Sequence, residues 1–257
     1  MCLILVAIRP RPGSRVLLLA NRDEFHARPS AAAAPWAENP AVAGGRDLVA
    51  GGSWLAVRAD GRFAAVTNLR NGTPAPAPRS RGELVSGFIL GRQEPAAWLE
   101  ALCSRSGEYA PFNLVLGDAS GAFAFDGGSR RTRRLEPGLH AISNGPLDSD
   151  WPKMRRIRAR AAAALASGAA DAELLALLRD REIAPDAQLP DTGFGLERER
   201  QLSPIFIAGR DYGTRASTLL EQGDDGALRL IEASFGPDGL ASGRVSWSTR
   251  NGGWLAT

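Results

Sequence analysis

Cysteine and histidine are scarce in this chain of 257 residues. It contains two cysteines, Cys2 and Cys103, and two histidines, His26 and His140. So few cysteines exclude a disulfide framework and are typical of a reducing compartment, so we expect a cytoplasmic protein. None of these residues has a second ligand at a metal-type interval, and we expect no bound metal.

Long apolar runs and lysines are also lacking. No apolar run approaches the ~18 residues needed to span a bilayer, and residues 3–8 are too few for a signal peptide and lack its basic region. Lys153 is the only lysine among 31 basic residues, and the formal net charge is +3. The arginine clusters near a turn at 130–134 and at 155–160 are not interleaved with aromatic residues. We therefore expect no membrane span and no nucleic-acid partner.

The first 29 residues predict a hairpin that organises the rest of the chain. Residues 3–8 and 16–20 are apolar runs separated by Pro10, Pro12 and Gly13, which indicates two strands joined by a turn. Neither run alternates with polar residues, so both faces of these strands should be covered. Antiparallel pairing about this turn places Cys2 opposite residues 21–23, where the second strand becomes polar.

The chemistry of this juxtaposition depends on loss of Met1, which would put a thiol and an α-amino group on Cys2. The amine has a pKa of about 8 and can accept the thiol proton. Asp23 could hold the ammonium or fix the thiol, and Arg22 could favour the thiolate. The alternative is a buried cysteine that only fills space at a strand start, and position alone favours it.

The remaining pattern predicts strands, then helices, then strands again. Strands are expected at 53–58, 62–68, 113–116, 122–125, 139–143, 205–208, 215–220, 228–235 and 244–247, with helices starting at 82 and 95 and covering 151–165 and 172–178. Loops are expected at 29–40, 71–81 and 184–200. Asn68, Asn144 and Arg215 flank strands, where each taken singly is most simply structural. With no repeat and no linker, residues 1–257 should form one layered α+β domain.

Several motifs in order along the chain resemble the NRDE family, whose animal members are called transport and Golgi organisation protein 2. The motifs are Met1-Cys2, Ala20-Asn21-Arg22-Asp23-Glu24-Phe25, Arg28-Pro29, Gly51-Gly52-Ser53-Trp54-Leu55, Thr67-Asn68, Ser80-Arg81-Gly82-Glu83-Leu84-Val85, Phe112-Asn113-Leu114, Ser143-Asn144, Trp151-Pro152-Lys153 and Tyr212-Gly213-Thr214-Arg215.

That family is similar to the N-terminal-nucleophile hydrolases, so the resemblance implies a four-layer αββα fold of two antiparallel sheets. The nearest chemistry is that of cysteine amidases such as bile salt hydrolase and penicillin V acylase, whose Asn-x-Asp segment resembles residues 21–23.

By that likeness Cys2 is the nucleophile and Asp23 orients it within the segment that also holds Asn21. Asn68 and Asn144 are then candidates for the oxyanion site, and Arg215 for a charge near the thiol. The amidases carry an arginine where this chain has Ala20, and Arg22 could replace it.

Three functions are compatible with the resemblance. The first is a hydrolase that cleaves a small-molecule amide or thioester, such as an acyl-coenzyme A, through an acyl-enzyme. The second is a non-catalytic haem-binding or transfer protein, although no CxxCH motif is present. The third is an interaction protein that keeps the hairpin for stability. We expect no resident cofactor, with haem as a candidate ligand, and the oligomeric state is left open.

Overall fold

The computed structural model describes residues 2–70, 72, 77–147 and 149–257, and these form fourteen strands and five α-helices. In chain order the strands are β1 (Cys2–Arg11), β2 (Ser14–Phe25), β3 (Ser30–Trp36), β4 (Asn39–Asp47), β5 (Leu55–Arg58), β6 (Phe63–Asn68), β7 (Phe112–Asp118), β8 (Gly121–Asp126), β9 (Arg131–Arg134), β10 (Gly138–Ile142), β11 (Tyr212–Gly223), β12 (Leu228–Phe235), β13 (Ala241–Arg250) and β14 (Gly253–Ala256). The helices are α1 (Gly82–Leu90), α2 (Pro95–Arg105), α3 (Pro152–Ala166), α4 (Asp171–Leu177) and α5 (Leu196–Leu202).

The strands form two antiparallel sheets packed face to face. The first sheet has the order β10-β1-β2-β11-β12-β13-β14, and the second has the order β3-β4-β5-β6-β7-β8-β9. Apolar side chains of both sheets, among them Val6, Leu18, Val57 and Val115, fill the space between them. Burial of this shared apolar surface holds the sheets together.

Helices cover the outer face of each sheet. Met154 of α3 and Leu174 of α4 pack on the first sheet. Phe88 of α1 and Leu99 of α2 pack on the second. The architecture is therefore a four-layer αββα sandwich, and the predicted α+β fold class is confirmed.

The first hairpin has the predicted register. Cys2 pairs with Arg22 across β1 and β2. Ile4 faces the core between the sheets, whereas Leu5 faces the helices. The two runs lack polar alternation because both of their faces are buried.

Most of the other predicted elements are present: β5 to β8, β10 to β13 and helices α1 to α4 lie where the pattern placed them. The loop predicted at 29–40 is wrong, because these residues form β3 and the start of β4. Pro35 fits there because β3 is an edge strand, with one side free of ladder hydrogen bonds. Gly44 lies within β4, where an added Cβ would be 2.5 Å from the Leu55 oxygen.

Four further segments differ from expectation. Residues 205–208 form no strand: Ile207 is buried in an irregular segment and bonds with Thr214, whose N–H donates to its carbonyl at 2.8 Å. The loop predicted at 184–200 contains the start of α5. The arginine cluster at 130–134 forms β9, and β14 was not predicted.

Part of one predicted loop, at 71–81, cannot be compared, since residues 71 and 73–76 lie outside the described residues, as do Met1 and residue 148. Among the residues that the structure does describe, no helix has the length and apolar character needed to cross a bilayer.

Candidate active site

Cys2 begins β1, at the end of the sandwich where β2 becomes polar. Its carbonyl accepts a hydrogen bond from Ser143 Oγ at 2.9 Å, which ties the start of β1 to the end of β10. Burial, with a smaller contribution from the charge of Asp23, raises the pKa of the Cys2 thiol, and nearby Arg22 opposes the rise. The thiol is therefore protonated at neutral pH, and its chemistry needs a base.

A cleft of about 340 Å³ opens at Cys2. Its walls are the end of β2, the end of β6, the loop before β5 and the segment before α1. The lining residues are Cys2, Arg22, Asp23, Glu24, Arg28, Asp47, Ser53, Trp54, Val66, Asn68, Ala77, Arg79, Ser80, Arg81, Gly82 and Ala110. Four of the seven predicted site residues, Cys2, Arg22, Asp23 and Asn68, are thus brought together.

Arg22 lies directly across the ladder from Cys2 and is 5% exposed. Its guanidinium carbon lies 4.3 Å from the centroid of the Trp54 ring, an arrangement in which the ring face attracts the cation. Trp54 follows Ser53, whose hydroxyl donates to the Gly45 carbonyl at 2.8 Å and so fixes the loop. The Gly-Gly-Ser-Trp motif therefore positions Arg22 beside the thiol.

Asp23 is held by two residues of β11, the strand that pairs with β2 on the side opposite β1. Thr214 Oγ1 donates to Asp23 Oδ1 at 2.7 Å, and the Tyr212 hydroxyl donates to the Asp23 carbonyl at 3.1 Å. Burial raises the pKa of this carboxyl, and the positive charge of Lys153 opposes the rise. Asp23 is thus a rigidly placed acid close to Cys2.

Asn21 does not line the cleft. Its Nδ2 donates to the carbonyls of Leu178 and Ile205, both at 2.8 Å, and its Oδ1 accepts from Ser217 Oγ at 2.6 Å. It lies in β2 between Leu19, which faces the helices, and the cleft-lining Asp23. The structure therefore gives Asn21 an anchoring position rather than the position in the catalytic cleft that the resemblance implied.

The two residues predicted for the oxyanion site, Asn68 and Asn144, are hydrogen-bonded to each other, but only Asn68 lines the cleft. Asn68, at the end of β6, lines the cleft. Asn144 is fully buried, and its Nδ2 donates to the Asn68 carbonyl at 2.9 Å while its Oδ1 accepts from Ser143 at 3.2 Å. Asn144 therefore positions Asn68 and does not itself reach the cleft.

Arg215 lies on β11, which is separated from the Cys2 strand β1 by β2, and it does not line the cleft. It falls at an irregularity in the β2–β11 ladder, and its guanidinium donates to the carbonyls of Phe25 and Arg28. It lines a separate hollow of about 240 Å³ that also contains Arg22 and Glu232. Arg215 is therefore placed beside Arg22 rather than in the lining of the Cys2 cleft, and its role as a charge near the thiol stays a prediction.

Comparison with known proteins adds to this geometry. The model of a family described as Transport and Golgi organisation 2 matches residues 1–237. The chain belongs to this family.

Relatives in the family share most of their length with this chain. Transport and Golgi organization protein 2 homolog of Bos taurus is 32% identical over 275 residues, with 97% of each chain covered. The Homo sapiens homolog is 30% identical with the same coverage, and the Drosophila melanogaster protein is 30% identical over 269 residues.

Among solved structures, the fold is similar to that of the mutant C2A conjugated bile acid hydrolase from Clostridium perfringens. The TM-score is 0.51, and the match covers 100% of this chain and 92% of that one. At 9% identity this likeness shows the fold alone.

Two basic residues of the family motifs lie near the thiol although they were not predicted. Lys153, at the start of α3, is 2% exposed and donates to the Leu202 carbonyl at 3.3 Å. Burial and the charge of Arg70 lower the pKa of Lys153 to about 8. Arg81 precedes α1 and lines the cleft. The sole lysine of an arginine-rich chain was the available signal for the first, and the Ser-Arg-Gly-Glu motif for the second.

The histidines lie outside the cleft. His26 Nε2 lies 3.1 Å from the Gly209 carbonyl oxygen, and His140 Nε2 lies 2.7 Å from that of Glu136. Within the described part of the chain, no three residues with cysteine, histidine or carboxylate side chains are grouped as metal ligands would be.

Proposed function

We propose that this chain is an N-terminal cysteine hydrolase that cleaves a small-molecule amide or thioester. The observation that carries the proposal is the shared cleft: Cys2, Arg22, Asp23 and Asn68 line one opening at the end of the sandwich. Cytoplasmic location stays a prediction.

The buried thiol determines the first step. Because burial raises the pKa of Cys2, the thiolate needs a base, and after loss of Met1 the α-amino group of the same residue can take the proton. The sulfur then attacks the carbonyl carbon of the substrate. Asp23, fixed by Thr214, orients the ammonium that forms.

The second step breaks the bond to the leaving group. The tetrahedral oxyanion accepts a hydrogen bond from the Asn68 side-chain amide, which Asn144 holds in place through the Asn68 carbonyl. Collapse of this intermediate transfers the ammonium proton to the departing amine or thiol and leaves an acyl group on Cys2. Water, deprotonated by the same amine, hydrolyses this acyl-enzyme to a carboxylic acid.

The proposal is tested with purified full-length protein on a panel of N-acyl amino acids and acyl thioesters. We expect intact-mass spectrometry to show a chain beginning at Cys2, and an acyl adduct on that residue. Cys2→Ala should lower hydrolysis on the order of 10³-fold or more. Cys103→Ala, the matched control, should retain full activity because Cys103 packs beside the apolar core of α1 and α2. Undiminished hydrolysis by Cys2→Ala, or by protein that keeps Met1, contradicts the mechanism.

Haem binding is the second candidate and is examined on the same variants. Of the described residues lining the cleft, Cys2 is the one with a thiolate or imidazole, so a haem bound there would take its axial ligand from Cys2. A Soret band that forms with wild type but not with Cys2→Ala, together with no hydrolysis of any substrate, would favour this role.

A further inference from the structure

Four arginines line the cleft, and two of them are neutralised by neighbouring carboxylates. Arg28 forms an ion pair with Asp47 at 2.8 Å. Arg79 pairs with Glu83 at 2.8 Å and with Glu108 at 3.1 Å. The guanidinium groups of Arg28 and Arg79 are therefore already paired with carboxylates of the protein.

The other two, Arg22 and Arg81, form no ion pair with any carboxylate of the described residues. Arg22 rests on Trp54, and Arg81 donates to the Pro111 carbonyl at 3.3 Å. Burial lowers the pKa of Arg81, and the Glu24 carboxylate and the ionised form of Cys2 oppose that change. Both arginines line the same cleft as Cys2, and Arg22 lies directly across the ladder from it.

The two other carboxylates that line the cleft, Asp23 and Glu24, accept hydrogen bonds from neutral groups. Asp23 Oδ1 accepts a hydrogen bond from Thr214 Oγ1 at 2.7 Å, which holds this carboxylate on β11. Glu24 Oε1 accepts from the Phe25 N–H at 2.8 Å. Among the described residues, neither carboxylate forms an ion pair with Arg22 or Arg81, so both guanidinium groups can bind an anion next to the thiol.

Arg81 is also fixed in position by its backbone. An added Cβ at Gly52 would lie 2.4 Å from the Gly82 carbonyl carbon, so the chain next to Arg81 is packed directly against the loop before β5. The Ser53 N–H donates to the Gly82 carbonyl at 3.3 Å. A guanidinium held in this way binds a carboxylate or phosphate with little loss of freedom.

We propose that Arg81, together with Arg22, binds an anionic group of the substrate, a carboxylate or a phosphate, while the scissile carbonyl lies at Cys2. Arg81 is then a specificity-determining residue. As a statement about substrates the proposal rests on the proposed hydrolase function, but anion binding next to the thiol can be measured without any hydrolysis.

The test is alkylation of Cys2 by two reagents of similar size and the same leaving group, anionic iodoacetate and neutral iodoacetamide. Their rates are read by peptide mass, and the ratio of the two rates cancels changes in thiol ionisation. Arg81→Gln should lower the iodoacetate-to-iodoacetamide ratio about tenfold, as expected for loss of a charged hydrogen bond. Arg81→Lys should restore the ratio only in part, because an ammonium lacks the guanidinium fork.

Arg79→Gln is the matched control, because it removes the same formal charge from the same cleft at a site that is already paired. We expect it to change the ratio less than about twofold. Inorganic phosphate and acetate, added separately, should slow iodoacetamide labelling of wild type but not of Arg81→Gln, and the more effective one identifies the anion preferred.

An unchanged ratio in folded Arg81→Gln, or an equal fall in Arg79→Gln, overturns the proposal. A fall confined to Arg81→Gln in a protein that hydrolyses no substrate supports the anion site and refutes the hydrolase, so the two failures are distinguishable.

Discussion

Two charged regions lie on either side of Asp23 and differ in how their charges are satisfied. One is the cleft, where Arg22 and Arg81 have no carboxylate partner among the described residues. The other, here called the buried polar cluster, consists of Arg70, Lys153 and Glu199. Its Arg70–Glu199 ion pair joins side chains that are 2% and 3% exposed. An enclosed charge must keep its partner for the fold to stay stable, whereas a charge left open without a carboxylate can bind a ligand.

Breaking the enclosed pair should have the largest effect. Arg70→Met leaves the Glu199 carboxylate buried beside Thr192 with no cation in contact, and we expect a loss of about 3–5 kcal/mol in the free energy of unfolding. The double variant Arg70→Met/Glu199→Met should recover most of that loss, since no charge is stranded. Urea denaturation measures both. A loss below about 1 kcal/mol in the single variant would remove the distinction between the two regions.

Because of Lys153, the free energy of unfolding should depend on pH in the alkaline range. Burial lowers its folded pKa to about 8, whereas an unfolded lysine titrates near 10.4. Between these values the unfolded chain binds more protons than the folded chain, so stability should rise as pH increases from about 8 to 10.4 and stay at its lower level below pH 8. Relative to Lys153→Met, wild type should gain on the order of 3 kcal/mol between pH 8 and pH 10.4. Parallel pH profiles of the two proteins in urea denaturation would show an ordinary lysine.

Adjacent residues of β2 should separate stability from reactivity. Asn21→Leu leaves two buried carbonyls unbonded and should cost about 1–3 kcal/mol, with no shift in the pH midpoint of Cys2 alkylation. Arg22→Met removes a cation that favours the thiolate, so this midpoint should rise, while stability falls by about 1 kcal/mol through loss of the Trp54 contact. A shift of the alkylation midpoint in Asn21→Leu but not in Arg22→Met would contradict this division of roles.

The parts of the site that could be predicted are those set by local pattern. The apolar runs and the Pro-Gly turn determine the pairing of Cys2 with Arg22, because a hairpin register depends on a short stretch of chain. The polar residues after Leu19 marked the end of β2 as chemically different.

The rest depends on contacts between distant segments. Arg81 reaches the cleft because Gly52 and Gly82 pack backbone to backbone, and nothing near either glycine in sequence specifies the other. Residues 29–40 are rich in alanine and proline, and they form strands because β3 pairs with β4, which in turn pairs with β5 in the second sheet. Residues 205–208 are apolar because side chains such as Ile207 are buried, but this segment forms no hydrogen-bonded ladder with a neighbouring strand.

Strand β9 has a consequence for how molecules of this protein meet one another. It is the last strand of the second sheet, its sequence is Arg-Thr-Arg-Arg, and all four side chains are exposed. An uncovered strand edge offers backbone donors and acceptors to any other extended chain. Here a second copy approaching edge to edge would bring three guanidinium groups against three more. Repulsion between these charges would oppose continuation of the sheet from one molecule into the next.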